Sequence, residues 1–117
     1  MRIALDAMGG DDAPASIVAG AVRAARELPH EILLVGDVAR LERELSRYPK
    51  RPATITLKAA SEVVEMHESP ASSVRKKRDA SINVAAQLVK DAQAHAMVSA
   101  GNTGATVASA VLRLGLL

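Results

Sequence analysis

Four short apolar runs, at residues 2–6, 31–35, 54–57 and 95–98, alternate with longer segments whose apolar side chains recur at helical spacing. With turns of Gly, Pro and Asn between them, that alternation constrains the chain to strands laid mostly parallel, with helices covering both faces of the sheet. In the first run Ile3 and Leu5 point one way. The A-M-G-G-D-D-A-P string from Ala7 to Pro14 follows, where Gly9 and Gly10 turn the chain and Pro14 suits a first helical position. Ile17, Ala21, Val22, Ala25 and Leu28 then form an apolar stripe, with Arg23, Arg26 and Glu27 on the outer face. The second run closes in Gly36-Asp37, and Val38, Leu41, Leu45 and Tyr48 line a charged helix stopped by Pro49.

The β-branched alternation at 54–57 gives a third strand. Residues 59–70 carry a weaker pattern. Val63, Val64 and Met66 suit a short turn or helical stub, ended by Pro70. Residues 72–92 read as helix, with Ile82, Ala85, Ala86, Leu88 and Val89 on one face and a break near Asp79. His95 opens the fourth strand, and residues 102–116 form the last helix with Val107, Ala108, Val111 and Leu112 inward. The expectation is one α/β domain over residues 1–117, large enough to bury about two thirds of its unfolded surface.

Composition removes several function classes. Phe and Trp are absent and Tyr48 is the lone aromatic, which leaves no stacking platforms for single-stranded nucleic acid. A formal charge of +2 is too small to mark a polyanion binder, so no nucleic-acid partner is expected. Without cysteine there is no disulfide, thiol nucleophile or thiolate metal site. There is also no H-E-x-x-H spacing, no basic-plus-apolar leader and no apolar run of roughly 18 residues. A soluble cytoplasmic protein without a metal is the expectation.

In an open parallel sheet, ligands bind beyond the carboxyl ends of the strands. The turns at 6–12, 36–37, 58–70 and 99–104 all fall on that edge. In the last, V-S-A-G-N-T-G-A from Val98 to Ala105, a strand gives way to a helix N-terminus, whose free N–H groups and dipole favour an anion. Gly101 and Gly104 allow close approach, and Ser99, Asn102 and Thr103 add short hydrogen-bonding side chains. The string fits neither the dinucleotide nor the nucleotide P-loop pattern, and a plain turn capped by Asn102 is the alternative. Asp6, Asp11 and Asp12 around the first turn serve either as caps or to orient a cationic group, and their charge makes that loop the poorer phosphate site.

The Arg75-Lys76-Lys77-Arg78 run is either a solvated helix face or a means of reaching an anionic substrate or acidic protein; the planar fork of Arg75 matches two phosphate oxygens. His67 lies in a crevice loop, but with no nucleophile pattern near it a catalytic role is the lesser reading. His30 falls in a surface connection, and His95 reads as structural.

Three strings, L-D-A-M-G-G-D with Ala13-Pro14, L-L-V-G-D ending at Asp37, and V-S-A-G-N-T-G-A, together resemble the phosphate acyltransferase family of bacterial phospholipid synthesis. Met66, Pro70, Arg75, Lys77 and Ser81 follow a similar M…P…R-x-K…S pattern. Ala80 departs from it, where the family more often has serine, as does His95, where it often has an acid. Family members are much longer, so the chain resembles their N-terminal portion.

The resemblance implies transfer of a fatty acyl group from acyl carrier protein to inorganic phosphate, without a cofactor. It implies a Rossmann-like three-layer α/β/α fold, here incomplete, similar to phosphotransacetylases and isopropylmalate-type dehydrogenases. A cytoplasmic homodimer is implied, with peripheral contact at the inner face of the membrane left open. Carried over by motif position, the catalytic set is Asp6, Asp11 and Asn102. The substrate-binding set is Gly9, Gly10, Ser99, Gly101, Thr103 and Gly104, with Arg75 and Lys77. A truncated, non-catalytic module that binds phosphate or docks the carrier protein is the alternative.

Overall fold

The structure is a computed structural model that describes residues 1–115; the sequence-based extension of the last helix to Leu116 lies outside the described residues. In chain order it contains β1 (Arg2–Asp6), α1 (Ala15–Glu27), β2 (Glu31–Gly36), α2 (Val38–Leu45), β3 (Ile55–Ala59), α3 (Pro70–Lys76), α4 (Ser81–Lys90), β4 (Ala96–Val98) and α5 (Thr103–Leu114). The strands form one sheet in the order β3-β2-β1-β4, every neighbouring pair parallel. Leu5 lies in register with Leu34 and Val98, and Leu34 with Leu57.

The period of two along β2 divides the core between the two faces. Ile32 and Leu34 join Val18, Ala21 and Val22 of α1 and Leu41 and Leu45 of α2 on one side. Leu33 and Val35 join Ala4 and the α4 residues Ala85 and Leu88 on the other. A third cluster, Val64, Val74, Ala80, Ile82 and Ala105, ties α3, α4 and α5 together. The result is the Rossmann-like three-layer α/β arrangement. No helix among the described residues is long and apolar enough to cross a membrane.

The expectations needing correction lie at helix ends and on one helix face. Pro14 stands just before α1 rather than in it, and Val18 N–H donates to its carbonyl at 2.9 Å. Leu28, expected inward, is the exposed residue after α1, while Val18 takes the buried place instead. Tyr48 lies beyond the end of α2, although it still packs on the core. Pro70 does not stop a helical stub: it opens α3, where a missing N–H costs nothing. The break expected near Asp79 is there, between α3 and α4.

The inward face of α5 differs most. Val107 and Leu112 are 59% and 52% exposed and Val111 is also exposed, whereas Asn102, Ala105 and Ser109 are buried. Polar contacts set this face. Ser109 Oγ donates to Asn83 Oδ1 at 2.7 Å, and Asn83 Nδ2 donates to the carbonyls of Val74 and Lys77, both at 2.9 Å. One buried asparagine thus closes the end of α3 and fixes the rotation of α5.

Candidate functional site

Because β1 and β4 are neighbours, the loops leaving their carboxyl ends run side by side, and Asp6 joins them. Its side chain is buried at 3% exposure. Oδ1 accepts Met8 N–H at 3.0 Å and Gly9 N–H at 3.1 Å, while Oδ2 accepts the Ser99 hydroxyl at 2.9 Å. The Ser99 oxygen in turn accepts Gly101 N–H at 3.1 Å. Gly9 and Gly101 touch backbone to backbone: a Cβ on Gly9 would stand 2.9 Å from Gly101 Cα, and one on Gly101 would stand 3.0 Å from Gly9 Cα. These glycines admit each other. Gly10 beside them has a φ of +101°, a conformation L side chains rarely adopt.

Asn102, the N-cap of α5, joins a third loop to this pair. Its Oδ1 accepts Ala105 N–H at 3.0 Å, and its Nδ2 donates to the carbonyls of Glu65 and Glu68 at 3.1 and 3.2 Å. A Cβ on Gly104 would stand 2.6 Å from Pro70 Cγ, so the first turn of α5 also packs on the start of α3. What remains open is backbone. The first N–H groups of a helix have no intrahelical acceptor, and with Ala105 N–H taken by the cap, those of Thr103 and Gly104 have no partner among the described residues. Both residues are exposed, and the first turn of α5 holds no acidic side chain to offset its dipole.

Lys77 holds the segment at 65–68 from the other side. Its ammonium donates to Glu68 Oε1 at 2.6 Å and to the Val63 carbonyl at 2.9 Å. Its hydrogen bond, with a smaller contribution from Glu65 N–H, lowers the pKa of Glu68 from 4.5 to about 2. A carboxylate with a lowered folded-state pKa stabilises above its ordinary value and loses that contribution as pH falls through the folded one. The melting temperature is therefore expected to fall more steeply between pH 4.5 and about 2 in the native chain than in a Lys77→Met variant. Equal slopes in a thermal scan series would remove the ion pair from the account. Asp79 is likewise lowered, by the Ser61 hydroxyl at 2.6 Å and the Ser61 N–H at 2.8 Å, and this pins the start of the same loop.

Of the residues singled out in the sequence, Asp6, Gly9, Gly10, Ser99, Gly101, Asn102, Thr103 and Gly104 form one loop cluster at the strand ends. Asp11 is exposed on the first loop. Lys77 faces inward to Glu68, and Arg75 lines a groove with Arg78, Lys90 and Arg113 that shares no lining residue with the cluster. His67 is exposed, and His95 Nδ1 accepts Arg2 N–H at 2.9 Å, a strand-end contact. Sequence reasoning missed Glu68 and Asn83. The Ser69-Pro70 pair, a helix-opening signal, would have placed α3 and with it the partner of Lys77.

Among the described residues no group of three or more His, Asp or Glu is arranged to hold a metal ion. The open features of the cluster are two backbone donors and a helix dipole, an arrangement suited to an oxyanion.

Comparison with known proteins places the chain in a family. The chain is 54% identical over 116 residues to a phosphate acyltransferase of Gloeothece citriformis, covering 99% of this chain and 33% of that protein. It is 53% identical over 114 residues to the phosphate acyltransferase of Geotalea daltonii, covering 97% and 33%, and 55% identical over 118 residues to that of Nostoc punctiforme, covering 100% and 34%. The chain thus spans about a third of the length of the curated relatives it matches. The profile of the family described as "Fatty acid synthesis protein" matches residues 1–117 in full, and the chain belongs to that family.

Proposed function

We propose that the loop cluster seats inorganic phosphate for attack on a fatty acyl thioester of acyl carrier protein. The products are an acyl phosphate for phospholipid synthesis and the free carrier thiol. The observation that carries this reading is the pair of open N–H groups, Thr103 and Gly104, at the positive end of α5. Relatives named phosphate acyltransferase support the substrate pair of an acyl group and phosphate.

Ionised phosphate is itself an oxygen nucleophile, so the protein need supply no serine or cysteine. A phosphate oxygen attacks the thioester carbonyl carbon, the tetrahedral oxyanion collapses, and the C–S bond breaks to release the thiolate, which takes a proton from water. The chain's task is to hold phosphate in line with the carbonyl and to place fixed donors on developing negative charge. Thr103 and Gly104 N–H hold the anion. Asp6, Gly9, Ser99, Gly101 and Asn102 position that turn, Gly10 shapes the neighbouring loop, and Asp11 stands exposed beside it. In the same reading the protein is a cytoplasmic homodimer with at most surface contact with the membrane, and residues 1–117 are one α/β unit.

Thr103 offers a clean test because it is the first residue of α5, where proline is tolerated, and Asn102 before it already has the extended backbone that a following proline prefers. Thr103→Pro deletes one N–H donor and keeps the helix. Phosphate-dependent release of carrier thiol from palmitoyl-acyl carrier protein should show the KM for phosphate raised about tenfold or more, as loss of a hydrogen bond to a charged ligand demands. Thr103→Ala, which loses only the hydroxyl, should change it little. An unchanged phosphate KM in Thr103→Pro would refute the placement, and phosphate binding without turnover in the native chain would favour a non-catalytic anion-binding module.

A further inference from the structure

A second surface is charged in a way the phosphate cluster does not explain. The ends of α3, α4 and α5 border a groove lined by Val74, Arg75, Arg78, Gln87, Lys90, Leu112 and Arg113. Its volume is about 490 Å³, and no carboxylate lines it. The four cations form no ion pair among the described residues; only Arg113 is held by a side chain, with its Nη1 donating to Gln87 Oε1 at 3.2 Å. Cations at helix C-termini partly answer the helix dipoles, but each dipole end is equivalent to only about half an elementary charge. Four full charges against three such ends leave a positive excess inside the groove, bordered by Asp79 and Asp91 in the adjoining pocket that shares Arg78, Gln87 and Arg113.

The spacing decides what could meet it. Arg75, Lys90 and Arg113 come from three helices and Arg78 from the turn after α3, and packed helix axes stand roughly 8–10 Å apart. A single phosphate can reach one or two of these cations. An acidic helix, carrying carboxylates over two successive turns, can span the groove while its apolar residues meet the half-exposed Leu112. We propose that this groove docks an acidic helical surface of another protein. This rests on the function proposed above only through acyl carrier protein, which serves as the acidic probe.

The test is binding of acyl carrier protein to the full chain, followed by fluorescence anisotropy at low salt and at about 0.3 M salt, where exposed charges are screened beyond several ångströms. Two variants with equal changes in net charge are compared. Arg75→Glu with Lys90→Glu reverses the groove, and Arg43→Glu with Lys50→Glu reverses exposed charges around the end of α2. All four side chains are exposed, so both variants should keep the native circular dichroism spectrum.

The expected result is binding at low salt that weakens about tenfold in the groove variant and in high salt, and less than about twofold in the control. Native-level binding by the groove variant, equal losses in the two variants, or no binding by the native chain at low salt would each overturn the proposal. So would full displacement by inorganic phosphate at the low ionic strength of the assay, which would mark a small-anion site. Thr103 lies outside the groove, so the phosphate KM of Thr103→Pro tests the other reading separately.

Discussion

Asp6→Ala is expected to lower stability by about 3–4 kcal/mol, at the upper end of what single substitutions do. The carboxylate is 3% exposed and accepts three hydrogen bonds, from Met8 N–H, Gly9 N–H and the Ser99 hydroxyl. Hydrogen bonds to a charged group contribute roughly 1.5–3 kcal/mol each, and truncation leaves donors in a site too tight to rearrange freely. Asp6→Asn keeps the side-chain shape and the oxygen that serves the two N–H groups. The new amide meets Ser99, whose hydroxyl can turn to accept, so the loss should be about 1–2 kcal/mol. Urea unfolding separates the two through the midpoint at constant slope. Equal losses in the two variants would mean that the charge of the carboxylate matters and that the side-chain shape and the oxygen kept by asparagine do not.

Asn102→Ala is expected to cost about 2–3 kcal/mol, made up of about 1 kcal/mol for the N-cap and a comparable amount for each lost strap contact. The sharper variant is Asn102→Asp. It keeps the oxygen that caps Ala105 N–H and improves the match to the helix dipole, yet replaces the donor to the Glu65 and Glu68 carbonyls with an oxygen that repels them. α5 should therefore persist while the segment at 65–68 opens. Hydrogen exchange reads this directly: Glu68 N–H, which donates to the Glu65 carbonyl at 3.2 Å, should exchange faster while the interior amides of α5 keep their protection. Faster exchange in α5 itself would show that the cap and the strap contact cannot be separated.

The strands were legible because each is a short apolar run with the period of a pleat, and β2 sends its side chains to two different cores. The loop cluster was legible in part, since Asp6, Gly9, Ser99 and Gly101 lie at or just past the carboxyl ends of strands, the edge a parallel sheet shares. The β1–β4 adjacency that joins them is a matter of strand order, which the spacing does not set. The face of α5 was not. Hydrophobic spacing favours Val107 and Val111, but Asn102 and Ser109 find partners inside, and a polar side chain whose hydrogen bonds are met can be buried at little cost. Pro70 misled because proline ends one helix and begins another; Ser69 before it marks a beginning, and its packing on Gly104 agrees. The position of Lys77 depends on a pairing with Glu68 nine residues away, at the opposite end of the short helix α3, which hydrophobic spacing does not signal.

The contact between Gly9 and Gly101 makes one object of two loops that lie 92 positions apart along the chain. Neither loop is a portable cassette. Grafted alone onto another parallel sheet, either would meet side chains where it needs bare backbone, and would lose the shared carboxylate that holds its turn. For inheritance and for protein engineering alike, the transferable module is the pair, carried with the two adjacent strands that bring the loops together.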